Sequence, residues 1–215
     1  MEGVTDLSKS NLQLYVVTDR AWLNGKRLED QVEAAILGGA AIVQLREKSL
    51  SGRDFYQTAQ NIKEITDRYQ IPLIINDRLD IALAVDAAGL HVGQGDLPPV
   101  IARRLLGPEK ILGVSVTNLE EAIQAEEDGA DYLGVGAVFL TGTKQDAATV
   151  DFSELKKITG AVQIPVVAIG GINENNALQL KGGGIKGIAV VSAVFGKEDP
   201  EKAAAKMRQI AELII

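Results

Sequence analysis

The sequence contains no cysteine. Disulfides, thiolate metal centres and cysteine nucleophiles are excluded with it. It contains one histidine, His91, too few for a zinc centre built on several imidazoles. No uninterrupted apolar run approaches the length of a membrane span. The opening MEGVTDLSKSN lacks the basic-then-apolar order of a secretory signal. Positive charge is in deficit: 22 Lys and Arg stand against 29 Asp and Glu, a formal net charge of -7. That disfavours general nucleic-acid binding but permits a local basic pocket. The expectation is a cytoplasmic protein with neither nucleic acid nor membrane as partner.

What is present fits one globular unit. The 215 residues are 46% hydrophobic and 24% charged, enough for a single substantial core. No stretch reads as a linker. Residues 1–11 are expected to pack on the domain as a polar segment, and 12–215 to form it. Short apolar runs predict strands over 12–18, 40–45, 71–75, 89–92, 110–114, 132–135, 165–169 and 187–191. They are continuous rather than alternating, as expected where helices cover a parallel sheet. Helices are predicted over 28–37, 51–69, 79–85, 98–106, from Asn118 (with Glu121 completing a capping signal), from Asp151 or Ser153, over 173–182, and over 200–214. Weak internal symmetry supports the repeat: Ile-Pro followed by three apolar residues occurs at 71–75 and again at 164–168. The fold class is α/β, a single (β/α)8 TIM barrel with its site at the C-terminal ends of the strands. The rival, an open doubly wound sheet, normally carries a glycine fingerprint after its first strand. The first loop here reads Thr18-Asp19-Arg20.

Polar clusters follow the predicted strands. Asp77 follows the third and Asp96 the fourth, so neighbouring strands would bring two carboxylates together. Two hard oxygen ligands plus water and phosphate suit Mg²⁺. The alternative pairs Asp77 with Arg78 and makes Asp96 the cap of the helix that Pro98 opens. His91 either points into the barrel mouth or is a packed structural histidine.

After the second strand, Gln44, Arg46 and Lys48 alternate onto one face of an extended segment, with Glu47 on the other. A guanidinium fork and a mobile ammonium suit a diphosphate; ion pairing with the rim is the alternative. Thr141, Thr143 and Lys144 place two hydroxyls and an ammonium in a glycine-containing loop, a second anion signal or a solvated loop. Gly170-Gly171 and Val191-Ser192 follow the seventh and eighth strands, where barrels often bind phosphate through backbone N–H groups. This cluster is expected across the ring from Arg46 and Lys48, with the reacting atoms between. Ser115, ending the fifth strand, has no readable base partner and is read as a hydrogen-bonding group.

The clusters QLREK (44–48), NDR (76–78), HVGQGD (91–96), GVS (113–115), FLTGTK (139–144), AIGGI (168–172) and VVSAV (190–194) resemble, in order and over nearly the whole chain, those of the thiamine-phosphate synthase (thiamine-phosphate pyrophosphorylase) family. Ala137 stands where that family often has proline. The resemblance implies a transferase that joins hydroxymethylpyrimidine diphosphate to a phosphorylated hydroxyethylthiazole, carboxylated or not, giving thiamine monophosphate and diphosphate by dissociative loss of diphosphate. It implies Mg²⁺ on Asp77 and Asp96, and diphosphate contacts from Arg46, Lys48, Asn76 and Lys144. Gln44 would stand on the pyrimidine side and Ser115 near the pyrimidine and the leaving diphosphate. Thr141, Thr143, Gly171, Val191 and Ser192 would hold the thiazole phosphate. A thiazole tautomerase, another phosphosugar-handling barrel and a non-catalytic phosphometabolite-binding regulator stay open as alternatives. So does a homodimer.

Overall fold

The eight apolar runs become eight parallel strands: β1 Leu14–Val17, β2 Ile42–Leu45, β3 Leu73–Asn76, β4 Gly89–Val92, β5 Ile111–Val116, β6 Tyr132–Val135, β7 Val166–Ile169 and β8 Gly187–Val190. In this computed structural model, which describes residues 12–23, 25–140 and 149–215, they close in sequence order into a barrel, with β8 pairing back onto β1. The expected 1–11 segment lies outside the described residues.

The helices between them are α1 Leu28–Leu37, α2 Gly52–Arg68, α3 Leu79–Ala84, α4 Pro99–Leu106, α5 Leu119–Glu127, α6 Phe152–Ala161, α7 Ser192–Phe195 and α8 Pro200–Ile214. Their starts follow local chemistry. Ser51, Asn118, Asp151 and Asp199 each accept a backbone N–H three residues on, satisfying groups that a helix end leaves unpaired.

Strand alternation divides the apolar residues into two cores. One face of β1 sends Leu14 and Val16 outward to the helices, in a large cluster with Val32, Phe55, Ile62, Leu155 and Phe195. The other sends Tyr15 and Val17 inward, to Ile42, Ile74, Tyr132, Val167 and Ala189. The inner layer therefore carries two tyrosines among aliphatic side chains. Gly113 makes room for one of them, because a Cβ there would lie 2.1 Å from Tyr132 Cζ.

One predicted helix is absent. Residues 173–182 hold only a 3₁₀ turn, Ala177–Leu180. The asparagines explain it. Asn173 Oδ1 accepts from Asn175 N–H, Asn176 Oδ1 accepts from Asn173 N–H, and both side-chain amides donate to the Gly171 carbonyl. These local bonds compete with the helical ladder. Asn173 is thus no helix cap. The short α7, and a 3₁₀ turn at Arg20–Trp22, carry too little periodicity to be read from sequence. Among the described residues no helix is long and apolar enough to cross a membrane.

Candidate functional site

Strand direction puts the ends of all eight strands, and the described residues that follow them directly, at one mouth of the barrel. On β2, Gln44 pairs in register with Val17 and turns inward, where it is buried. Arg46 follows on the same face. Its backbone N–H donates to Thr18 Oγ1 at 2.9 Å, and its Nη1 pairs with Asp19 Oδ2 at 2.9 Å. Glu47 faces away, as its parity requires, and both its oxygens accept from Arg20 Nε. Lys48 crosses to β3, with Nζ 2.5 Å from Asp77 Oδ2. Rim ion pairing is therefore real for both cations.

Asp77 sits just past β3 with φ +61°, a left-handed conformation that Asp tolerates better than most residues. Its N–H donates to the His91 carbonyl at 2.8 Å, which ties the turn to β4. Asp96 folds back so that Oδ2 accepts the Gly93 N–H at 2.8 Å. The two carboxyl groups act on each other electrostatically, and they diverge. Burial pushes Asp77 up, but hydrogen bonds from Lys48 and Asp96 outweigh it and hold Asp77 below the usual carboxylate range. Burial raises Asp96, and the neighbouring Asp77 raises it further against the opposing Gly93 N–H.

The rival assignments for this pair fail. Arg78 pairs with Asp80 rather than Asp77. The helix opened by Pro98 has no side-chain cap, so Asp96 does not supply one.

Asn76 ends β3 beside them, 8% exposed. Its Nδ2 is a buried donor with no hydrogen-bond partner. A donor left in that state normally costs about 1–3 kcal/mol, which an acceptor meeting it would relieve. Two adjacent carboxylates, one orphan amide donor and two cations form a chemically coherent receptor for a divalent ion carrying a diphosphate. Among the described residues no group of three or more His, Cys, Asp or Glu could hold a metal, so oxygens beyond the two carboxylates would have to come from ligand and water.

The second predicted anion cluster lies on β7 and β8. Gly171 has φ +64°, and a Cβ there would come within 2.4 Å of the Leu140 carbonyl oxygen. Only glycine suits that approach. Val191 precedes α7 without a side-chain cap, and Ser192 opens that helix. The expectation that this cluster lies across the ring from Arg46 needs correcting. Only β1 separates β8 from β2, whereas β3 and β4, carrying Asp77 and Asp96, stand opposite β7 and β8. Thr141, Thr143 and Lys144 lie outside the described residues.

Ser115 lies one residue before the end of β5, and its Oγ meets His91 Nε2 at 2.8 Å. His91 Nδ1 in turn meets Tyr132 Oη at 2.8 Å. His91 is thus both buried and part of the mouth. Sequence reading missed Tyr15, Tyr132, Asp19 and Gln94, whose Nε2 donates to the Ser115 carbonyl. The available signal was parity: Tyr15 alternates inward with Val17, and Tyr132 with Gly134.

Comparison with known proteins agrees with this geometry. A family model described as thiamine monophosphate synthase matches residues 14–194. A thiamine-phosphate synthase of Ruminiclostridium cellulolyticum is 57% identical over 94% of this chain and 97% of its own. One of Clostridium tetani is 58% identical over 88% and 91%. The solved structure of thiamine phosphate pyrophosphorylase from Pyrococcus furiosus superposes with a TM-score of 0.88 at 43% identity, over 96% of this chain and 98% of that one. The chain belongs to the thiamine monophosphate synthase family, and is with it a transferase of thiamine biosynthesis.

Proposed function

We propose that the barrel mouth joins 4-amino-2-methyl-5-(diphosphooxymethyl)pyrimidine to 4-methyl-5-(2-phosphooxyethyl)thiazole, or its carboxylated form, in the cytoplasm. The bond from the pyrimidine methylene carbon to the diphosphate oxygen breaks. The thiazole nitrogen supplies the electron pair for the new C–N bond, and thiamine monophosphate and diphosphate leave, with CO2 lost as well when the thiazole is the carboxylated form. The observation that carries this reading is the meeting of Asp77, Asp96, Lys48 and the unpartnered Asn76 Nδ2 at one side of the mouth.

Asp77 and Asp96 would hold Mg²⁺, which when bound neutralises charge gathering on the diphosphate. Asn76 Nδ2 donates to a diphosphate oxygen and so loses its unpaired state. Arg46 brings its guanidinium fork and Lys48 its ammonium to the same group. Lys144 is assigned to the same leaving group. Gln44 faces the pyrimidine, and Ser115 bonds near the breaking bond. The backbone at Gly171, Val191 and Ser192, opposite the carboxylates, holds the thiazole phosphate, with Thr141 and Thr143 assigned to the same group. Departure of diphosphate from an electron-rich aminopyrimidine needs no protein nucleophile. The contribution of these residues is charge stabilisation and alignment.

The test mixes the purified protein with both substrates, with and without Mg²⁺, and measures thiamine monophosphate and diphosphate. Equal, Mg²⁺-dependent amounts of both are expected. A folded protein that makes neither, but isomerises the carboxylated thiazole phosphate, would move the reading to a tautomerase. One that binds phosphometabolites without turnover would move it to a regulator.

A further inference from the structure

Five side chains from five strands form one unbroken hydrogen-bonded chain inside the barrel. Gln44 Nε2 donates to Tyr15 Oη at 2.8 Å. Tyr15 Oη meets Tyr132 Oη at 2.7 Å. Tyr132 Oη meets His91 Nδ1, and His91 Nε2 meets Ser115 Oγ, each at 2.8 Å. Tyr15 and Tyr132 are each 1% exposed, so water does not substitute for a missing partner along this stretch. Burial raises both phenols above their ordinary range, so both keep their protons.

The chain has a direction. Tyr15 already accepts from Gln44, so its own proton goes to Tyr132. Tyr132 accepts that bond and passes its proton to His91 Nδ1. An imidazole that accepts at Nδ1 carries its proton at Nε2, and Nε2–H donates to Ser115. Ser115 therefore receives a hydrogen bond inside the barrel and has its own proton to give elsewhere. Turning the Gln44 amide over would reverse every bond: Gln44 would accept, His91 would protonate at Nδ1, and Ser115 would donate inward.

We propose that this chain gives Gln44 and Ser115 one shared hydrogen-bond polarity. Ser115 then meets the substrate as a proton donor, while Gln44 keeps its carbonyl oxygen for an amino group. Tyr15, Tyr132 and His91 are positioning residues that hold the two ends in register. The functional consequence rests on the reading of this mouth as the pyrimidine-diphosphate pocket, whereas the polarity itself does not. His91 in this arrangement is no base for Ser115, because it gives a proton to that hydroxyl rather than taking one.

The test uses the single histidine. In the ¹⁵N-labelled protein at pH 8, one imidazole gives one set of long-range ¹⁵N correlations. The expected wild-type result is a proton on Nε2 and a bare Nδ1. A proton on Nδ1, alone or together with Nε2, would overturn the proposal. Gln44→Glu, with its carboxyl shown to be ionised at that pH by its ¹³C shift, then offers Tyr15 only an acceptor and should reverse the chain, moving the proton to His91 Nδ1. A folded Gln44→Glu protein with Nδ1 still bare would also overturn it. Neither arm uses substrate, so both are distinct from a failure of the coupling reaction. In the coupling assay, Tyr132→Phe should lower kcat about tenfold while KM for the thiazole phosphate stays within about twofold. Wild-type kcat in that variant would remove the positioning role.

Discussion

Lys48 Nζ lies 2.5 Å from Asp77 Oδ2 across the β2–β3 seam. In the proposed reading, the pair joins a cation that would meet a diphosphate to a carboxylate that would hold its metal. It holds Asp77 ionised while the adjacent Asp96 is driven toward its neutral form. One lowered and one raised carboxyl is what two neighbouring like charges produce when only one local cation compensates them. A divalent ion would supply the missing positive charge.

Without metal, Asp96 should cost stability. Its pKa in the folded protein is raised, so the folded state disfavours its charged form. Stability is then lost as pH rises from the unfolded-state pKa through the folded one. Asp96→Asn removes that loss. Metal-free Asp96→Asn should melt about a degree or two above the wild type at pH 7, a small gain because solvent screens the site. The gain should vanish once the pH falls below the unfolded pKa. Thermal melts of both proteins across pH check this, and a lower Tm at pH 7 would contradict it.

Lys144→Ala should lower turnover more than it weakens binding of the thiazole phosphate. Loss of one charge-stabilising donor at a leaving group typically costs about 10²–10³ in kcat. Steady-state kinetics with an independent binding titration separate the two effects. Equal turnover would sink the leaving-group assignment.

Gly113→Ala should damage the site from beneath. The added Cβ would overlap the Tyr132 ring at Cζ, where the ring is fully buried. Overpacking of this kind costs about 1–3 kcal/mol, readable as a lower midpoint in urea. The displaced Tyr132 should release His91, so kcat should fall in the fraction that stays folded. A fully stable Gly113→Ala protein would contradict the packing described for the barrel interior.

The barrel was legible because its strands are short apolar runs between helix caps that work locally, such as Asn118 with Glu121. The carboxylate pair was legible because adjacent parallel strands must end side by side. Residues 173–182 were misread because their spacing resembles a helix while their asparagines bond to nearby backbone instead. The pairing of Arg46 with Asp19 and the chain through Tyr15 and Tyr132 were not legible. Arg46 and Asp19 meet across the ends of neighbouring strands, and Tyr15 and Tyr132 meet across the barrel from β1 and β6, and no local pattern states either contact. The ring order also corrected the separation of the anion sites, since Arg46 is nearer to β8 than alternation alone indicates.

The measurement that tests the carboxylate site most directly is diphosphate binding by calorimetry, titrated against Mg²⁺, in wild type, Asp77→Asn and Asp96→Asn. The account predicts that Mg²⁺ strengthens diphosphate binding to the wild type. Each variant should need at least about tenfold more Mg²⁺ for the same effect, by analogy with the loss of groups that orient a metal. An unchanged Mg²⁺ titration in both variants would contradict the assignment of Asp77 and Asp96 as the metal-holding side of the mouth.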